Sequence, residues 1–426
     1  MRRLLALLTL IAVASGAASV DASAAPGPCV AGAETDGRCH SWTGKVRSVT
    51  DGDTIDVDVW GDGSSRALRI RIAGVQAMEL TSYDPRRRAG ECHAVAATER
   101  LERLIRRSNG VVRLAAQNPA SMAQRRLVRT VAVKTSKGWR DVGSMLMREG
   151  LALWWPGWAE WASNARYSTL MAYAMTAQRG LFDPDGCGVG PSAASPLSLL
   201  VNWDADGDDG ANPSGEWVTV RNLDPANPVP LAGWQVRDGG HRYAFPPHAA
   251  IAPGGTILVN VGHEAEDGTV LTWGQNAPLF TNPTYNVTAR GDGAYLVDPL
   301  GNVRAAMAFP CRVRCTDRLQ GAIALAADPS GRDESITLTN LSGAPVDLDG
   351  YVLKTVPDSY HFAPGSTVAA GESMRIRIVG DSADSSALDR RWGRAKPILR
   401  DSGDVVRLLT YTDITIACVA WGDRRC

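Results

Sequence analysis

Four blocks in the second half of this 426-residue chain recur at a nearly constant distance. Trp217-Val218-Thr219-Val220-Arg221-Asn222-Leu223 is answered by Ser335-Ile336-Thr337-Leu338-Thr339-Asn340-Leu341. Leu231-Ala232-Gly233-Trp234 is answered by Leu348-Asp349-Gly350-Tyr351, Tyr243-Ala244-Phe245 by Tyr360-His361-Phe362, and Trp273-Gly274 by Trp392-Gly393. The offset stays between 117 and 119 residues. Solenoid units repeat every 20–50 residues or so, so this spacing predicts two copies of a whole domain. Within each copy, short alternating segments are broken by Gly, Pro and Asp turns, the pattern of a β-sandwich.

The zero formal net charge hides an asymmetry. Residues 44–188 hold 22 Lys and Arg against 15 Asp and Glu, a net of +7, whereas residues 189–426 hold 20 against 27, a net of −7. A basic part and an acidic part imply separate domains with different partners. A stretch rich in Gly, Pro, Ser and Ala at 189–197 reads as the linker between them. The expected organisation is a leader at 1–24, a Cys-bearing lead at 25–43, a first domain at 44–188, and the two copies at 198–312 and 318–426.

The leader reads as a secretory signal. Arg2 and Arg3 precede an apolar run, Leu4 to Ala14, too short to span a bilayer, and Ala22-Ser23-Ala24 offers small residues for cleavage near Ala24. No later apolar run is long enough for a membrane helix, so the expectation is a secreted protein. Its eight cysteines then read as disulfides. Spacing suggests the pairs Cys29–Cys39, Cys92–Cys187, Cys311–Cys315 and Cys418–Cys426.

In the first domain, Lys45–Val49, Ile55–Trp60 and Arg66–Gly74 read as strands separated by Asp-Gly turns. Residues 91–107 switch to helical spacing, with Val95, Leu101, Leu104 and Ile105 on one face. Val111–Ala115 and Leu127–Lys134 read as strands, Val142–Glu149 as a helix stopped by Gly150, and Trp161–Gln178 as a longer helix. A small barrel with packed helices suits that order. The chemistry sits on Asp51-Gly52-Asp53-Thr54, followed by Arg71 and Glu79. Carboxylates hold a hard cation, a guanidinium offsets charge on a phosphoryl transition state, and a further carboxylate can take a proton from water.

Together with Arg71-Ile72-Ala73-Gly74-Val75, Arg125-Arg126-Leu127 and Glu149-Gly150-Leu151-Ala152, that ordered set resembles the staphylococcal nuclease (thermonuclease-like) family over residues 44–188. The resemblance implies an OB-type barrel with three helices and a calcium-dependent attack of water on phosphodiesters of DNA or RNA. It implies that Asp53 is a calcium ligand, that Glu79 serves the water, and that Arg71 and Arg125 stabilise the pentacoordinate phosphate. Arg126 and Arg129 stand near enough to shift that last assignment. Gln76 occupies the place of the family's second calcium-binding aspartate, and Ala77 that of a threonine that binds through its carbonyl. A Gln carbonyl ligates without charge, so three readings stay open: weaker calcium binding, compensation by Asp51, or a catalytically dead domain. Trp158 matches a base-stacking position, whereas Trp154 and Trp155 read as core. Arg86, Arg87 and Arg88 form a loop that can meet a phosphate backbone.

Residues 198–312 resemble the lamin tail domain family, an immunoglobulin-like sandwich. The carriers are Glu216-Trp217-Val218-Thr219-Val220-Arg221-Asn222, Leu231-Ala232-Gly233-Trp234, Tyr243-Ala244-Phe245-Pro246, Ala252-Pro253-Gly254-Gly255 and Trp273-Gly274. Residues 318–426 look like a diverged second copy. This resemblance implies binding or spacing rather than catalysis and names no ligand; for the acidic copies, a cell-surface or matrix component is one candidate partner, and keeping the protein soluble is the other use. The alternating Asp204, Asp206 and Asp208 form a second candidate calcium site, although the twelfth position of an EF-hand loop would fall on Gly215. His241, His248, His263 and His361 share no spacing and read as loop or core residues. The expected function is a secreted calcium-dependent nuclease with two spacer or binding sandwiches. The alternative is an inactive nucleic-acid-binding or surface-interaction protein.

Overall fold

Five strands close on themselves in the first third of the chain. In the computed structural model, which describes residues 24–32, 38–157, 159–183, 196–282 and 291–426, Arg38–Val49 pairs with Thr54–Val59, and that strand with Leu68–Ile72. Leu68–Ile72 runs parallel to Arg126–Thr135, which pairs with Val111–Ala116, and Val111–Ala116 returns to Arg38–Val49. Alternate residues fill the closed barrel, among them Ile55, Val57, Ile70, Ile72, Val112, Leu114, Val131 and Val133. The leader, Trp158, Cys187 and most of the linker lie outside the described residues.

Three helices pack around the barrel: α1 (Ala94–Arg107), α2 (Val142–Glu149) and α3 (Asn164–Thr176). The start of α2 is held by Asp141, whose side chain accepts the N–H of Ser144, and its end by Gly150 in the left-handed region, as residues of these types do at helix ends. In α1 the fully buried face is Ala94, Ala97, Thr98, Leu101, Leu104 and Ile105. Val95 is only partly buried, because the 3.6-residue period centres the buried face on 94, 97, 98 and 101 and leaves 95 at its edge.

The two sandwiches share one topology. The first pairs Leu197–Asn202, Trp217–Asn222, Thr256–Asn260 and Val270–Thr272 in one sheet, and Arg242–Ala244, Gln235–Arg237, Asp292–Val297 and Val303–Phe309 in the other. The second repeats that order from Ile323–Asp328 to Thr415–Ala420. The recurring sequence blocks are structural. Tyr243 packs on Phe245 and Trp273, as Tyr360 does on Phe362 and Trp392. Buried Glu216 accepts the N–H groups of Leu279 and Phe280, as Glu334 does those of Ile398 and Leu399. The expected fold class, a barrel with three helices and then two immunoglobulin-like sandwiches, is the one observed.

The domains are not beads on a string. Tyr295, Val297 and Val303 of the first sandwich belong to the same buried cluster as Met147, Trp154 and Met171 of the barrel, and the Tyr295 hydroxyl donates to Met171 Sδ at 3.0 Å. Each sandwich also reaches back with the same hairpin. In the first, the turn after Gln235–Arg237 touches the barrel. In the second, the turn after Tyr351–Thr355 touches the first sandwich, where Gly207 N–H donates to Pro357 O at 3.3 Å and Ser359 N–H to Asp206 at 2.9 Å.

Cys29–Cys39, Cys311–Cys315 and Cys418–Cys426 are bonded. Cys92 is also disulfide-bonded, its expected partner Cys187 being outside the described residues. Among the described residues no helix is long and apolar enough to cross a membrane. The disulfides accord with an oxidising, extracellular setting.

Because Tyr295 is buried by both domains, Tyr295→Ala should cost about 3–5 kcal/mol. The expected result in a urea titration is that barrel and first-sandwich signals move together to lower denaturant. A shift confined to the sandwich would contradict a shared core.

Candidate active site

Asp53 is set in place by the turn that carries it. The backbone doubles back from Thr50 to Thr54 (Thr50 N–H to Thr54 O, 2.9 Å), and Asp51 accepts the Asp53 N–H at 3.0 Å, an Asx turn. Gly52 permits the close approach to α1: a Cβ there would lie 2.7 Å from that of Ala77 and 2.8 Å from that of Ala97. The Asp53 carboxylate is 4% exposed and accepts from the Thr54 hydroxyl at 2.9 Å and the Ala77 N–H at 2.8 Å. It also pairs with Arg71, which the antiparallel register sets opposite Thr54.

Arg71 is as deeply buried as its partner, and it donates to Gln76 Oε1 as well. Burial, with Arg126 nearby, lowers its pKa to about 10, so the guanidinium stays charged at neutral pH. Its Nε has no hydrogen-bond partner among the described residues. Gln76 donates in turn to Ala77 O at 3.1 Å and Glu79 Oε1 at 3.2 Å. Glu79 is half exposed at the mouth, its backbone N–H fixed by Glu91 at 2.9 Å. Burial raises the Asp51 pKa.

These side chains line one cleft of about 360 Å3 with Tyr83, Arg126 and Trp155. Arg125 is not among its lining. It sits exposed in the left-handed region, as does Gln124, and this local twist sends Arg125 to an adjoining groove of about 670 Å3 that also holds Arg66 and Arg69. Arg126 borders both spaces and reaches Thr54 Oγ1 at 3.1 Å. Arg129 is 1% exposed and stacks on Trp42. The arginine brought to Asp53 from this strand is therefore Arg126, one residue beyond the position implied by the resemblance.

Of the consecutive tryptophans, Trp154 is fully buried, while Trp155 faces the cleft under the Arg71 guanidinium, 5.9 Å away. Trp155, read from the sequence as core, follows the short strand Leu153–Trp154 and turns to the cleft instead. Trp155 also lines an adjoining pocket of about 230 Å3 with Ile72, Met122 and Pro156. Arg86 and Arg87 are exposed and do not line the cleft, and Arg88 is tied to Glu102 of α1 at 2.6 Å.

The far wall comes from the first sandwich. Arg237, Asp238, Gly239, Gly240, His241 and Arg242 line the same cleft. Arg242 pairs with Glu79 at 3.5 Å and Glu91 at 3.3 Å, and Arg237 pairs with Glu91 at 3.3 Å. Gly239 is required by contact, since a Cβ there would lie 2.5 Å from Cβ of Trp155. His241, expected to be an ordinary loop or core histidine, is thus at the cleft. Nothing in its sequence neighbourhood points to a partner more than 150 residues upstream.

The acidic run has a structural use. Asp204 pairs with Lys354 and Asp206 with Arg394, both from the second sandwich, while Asp208 is exposed and caps the Gly210 N–H at 2.9 Å. The three carboxylates therefore do not gather around one point, and two are neutralised in the interface between the sandwiches. At Asp53 the donor set fits calcium in kind, because oxygens of Asp51, Asp53, Gln76 and Glu79 all face one cleft and Ca2+ takes such hard donors. Among the described residues no three acidic, His or Cys side chains already form a cation cage. Asp53 is instead committed to Arg71, and an uncharged Gln76 stands beside it.

The lamin tail domain family matches residues 198–310 and again 323–423, which together make up half of the chain. Both matches fall in the sandwiches. No curated protein matches the chain.

Asp53→Ala would leave the Arg71 charge buried without its partner, at a cost of about 3–5 kcal/mol. Adding Arg71→Met should restore most of that loss. Denaturant unfolding of the single and double variants checks this, and an unchanged midpoint for Asp53→Ala would refute the coupling.

Proposed function

Since the chain belongs to the lamin tail domain family through both sandwiches, and that kinship leaves the barrel unexplained, we propose that the barrel is a nuclease that hydrolyses phosphodiester bonds of DNA or RNA. One observation carries the reading: Asp51, Asp53, Glu79, Arg71 and Arg126 line a single cleft, in which Asp53 and Arg71 are paired. Such a cleft can hold a phosphodiester and a water together. Guanidinium groups match phosphate oxygens and offset charge as the transition state forms. Glu79, half exposed at the mouth, takes the proton of the attacking water. The new P–O bond forms as the bond to the leaving oxygen breaks, and that oxygen takes a proton from solvent.

The neighbouring spaces favour a polymer over a small ester. Arg66 and Arg125 continue the cleft along a groove in which Arg69 is paired with Asp56, a track for further phosphates. The apolar pocket beside Trp155 suits a base, which stacks on aromatic rings. We propose calcium as cofactor, held by Asp53 and Asp51 with the Gln76 and Ala77 carbonyl oxygens. When bound, it would supply Lewis-acid polarisation of a phosphate oxygen. Export from the cell belongs to the same reading, with substrate met outside it.

A second reading is favoured by the Asp53–Arg71 pair and by Gln76: a domain that grips nucleic acid without cutting it. Digestion of single-stranded DNA and RNA by the full chain, with Ca2+ or with chelator, separates the two. The expected outcome is cleavage with calcium only, reduced about 100-fold or more by Glu79→Gln and to a similar extent by Arg126→Ala. Cleavage in neither condition, with binding retained, would select the second reading.

A further inference from the structure

A hairpin that belongs to one domain lines the cleft of another. In the turn after Gln235–Arg237, Asp238 is nearly buried and accepts the backbone N–H groups of Gly240 and His241 through one oxygen. Its other oxygen lies 3.0 Å from His241 Nδ1. A carboxylate on Nδ1 fixes the ring and supports its protonated form, and here it raises the imidazole pKa. Arg242, the next residue, is exposed and splits its contacts between Glu79 and Glu91. Exposed ion pairs of this kind are weak, so a phosphate can replace one of them.

The second sandwich provides a comparison within the same molecule. Its equivalent turn reads Thr355-Val356-Pro357-Asp358-Ser359 and carries no cation. The fold of a lamin tail domain therefore does not call for His and Arg at this place. They occur in the copy whose turn faces Asp53, Glu79, Arg71 and Arg126.

We infer that the first sandwich completes the nucleic-acid site, with His241 and Arg242 contacting a substrate phosphate from the wall opposite Arg71 and Arg126. This rests on reading the cleft as a nucleic-acid site. A protonated imidazole and a guanidinium are both donors only, matched to the acceptor-only oxygens of a phosphodiester. Movement of Arg242 onto phosphate also releases Glu79 to take a proton from water. The sandwich is thus part of the site and not a spacer.

The test reads binding without turnover. Full-length protein in chelator is titrated into a fluorescently labelled single-stranded oligonucleotide, and anisotropy is followed at several salt concentrations. His241→Ala and Arg242→Ala should each weaken binding about tenfold and reduce the salt slope by about one, with Arg242→Lys partly restoring it. Arg332→Ala, an exposed arginine of the second sandwich, should bind like the parent. Thermal melts show whether each variant is folded, and His241, exposed on a turn, is the variant least able to disturb the fold. If both hairpin variants bind like the parent while Arg126→Ala does not, the inference fails and the cleft reading stands. If the parent itself does not bind, the cleft reading fails and the inference with it.

Discussion

The carboxylate of Glu91 is shared between two domains. It accepts the backbone N–H of Glu79 from its own domain and the guanidinium groups of Arg237 and Arg242 from the first sandwich. The pair with Arg242 is exposed and contributes little by itself. Arg237 is different: its side chain is 2% exposed, and a buried cation without its anion is costly. Glu91 therefore cannot relax away from the sandwich, and Glu79, hydrogen-bonded to it, cannot either. The position of Glu79 at the mouth of the cleft depends on a domain that begins more than a hundred residues later.

A second buried pair sets the electrostatics of the cleft floor. Asp53 and Arg71 neutralise one another, and Gln76 adds dipoles without charge. The floor is therefore less anionic than its acids suggest, which lowers the cost of bringing an anion to it. Whatever binds there must compete for Asp53 with a guanidinium already in place.

Much of the fold was legible in the residues. Asp-Gly turns marked the barrel strands, and Gly150 marked the end of α2. The repeated Tyr, Phe and Trp blocks turned out to be the same aromatic cluster built twice. The site was legible where its parts are close in sequence, from Asp51 through Glu79. It became illegible where a local backbone twist or a distant partner decides. Positive φ at Gln124 and Arg125 exchanges the arginine that faces the cleft, which no spacing argument detects. Asp204 and Asp206 resembled an ion site because the cations that neutralise them, Lys354 and Arg394, are about 150 and 188 residues away. His241 had no local signal at all.

The backward-reaching hairpin has a consequence for how such a chain can be built. Each sandwich clasps the domain before it with the same turn, and the residues of that turn are suited to the surface they meet: cations for the acidic loop of the barrel, and Ser359, helped by Lys354 of the strand that leads into the turn, for Asp204 and Asp206. The arrangement has a direction. The two sandwiches cannot trade places, because each is keyed to its predecessor, whereas a further copy could be added at the end by altering only its own turn. Duplication in this chain extends the row without disturbing the links already made.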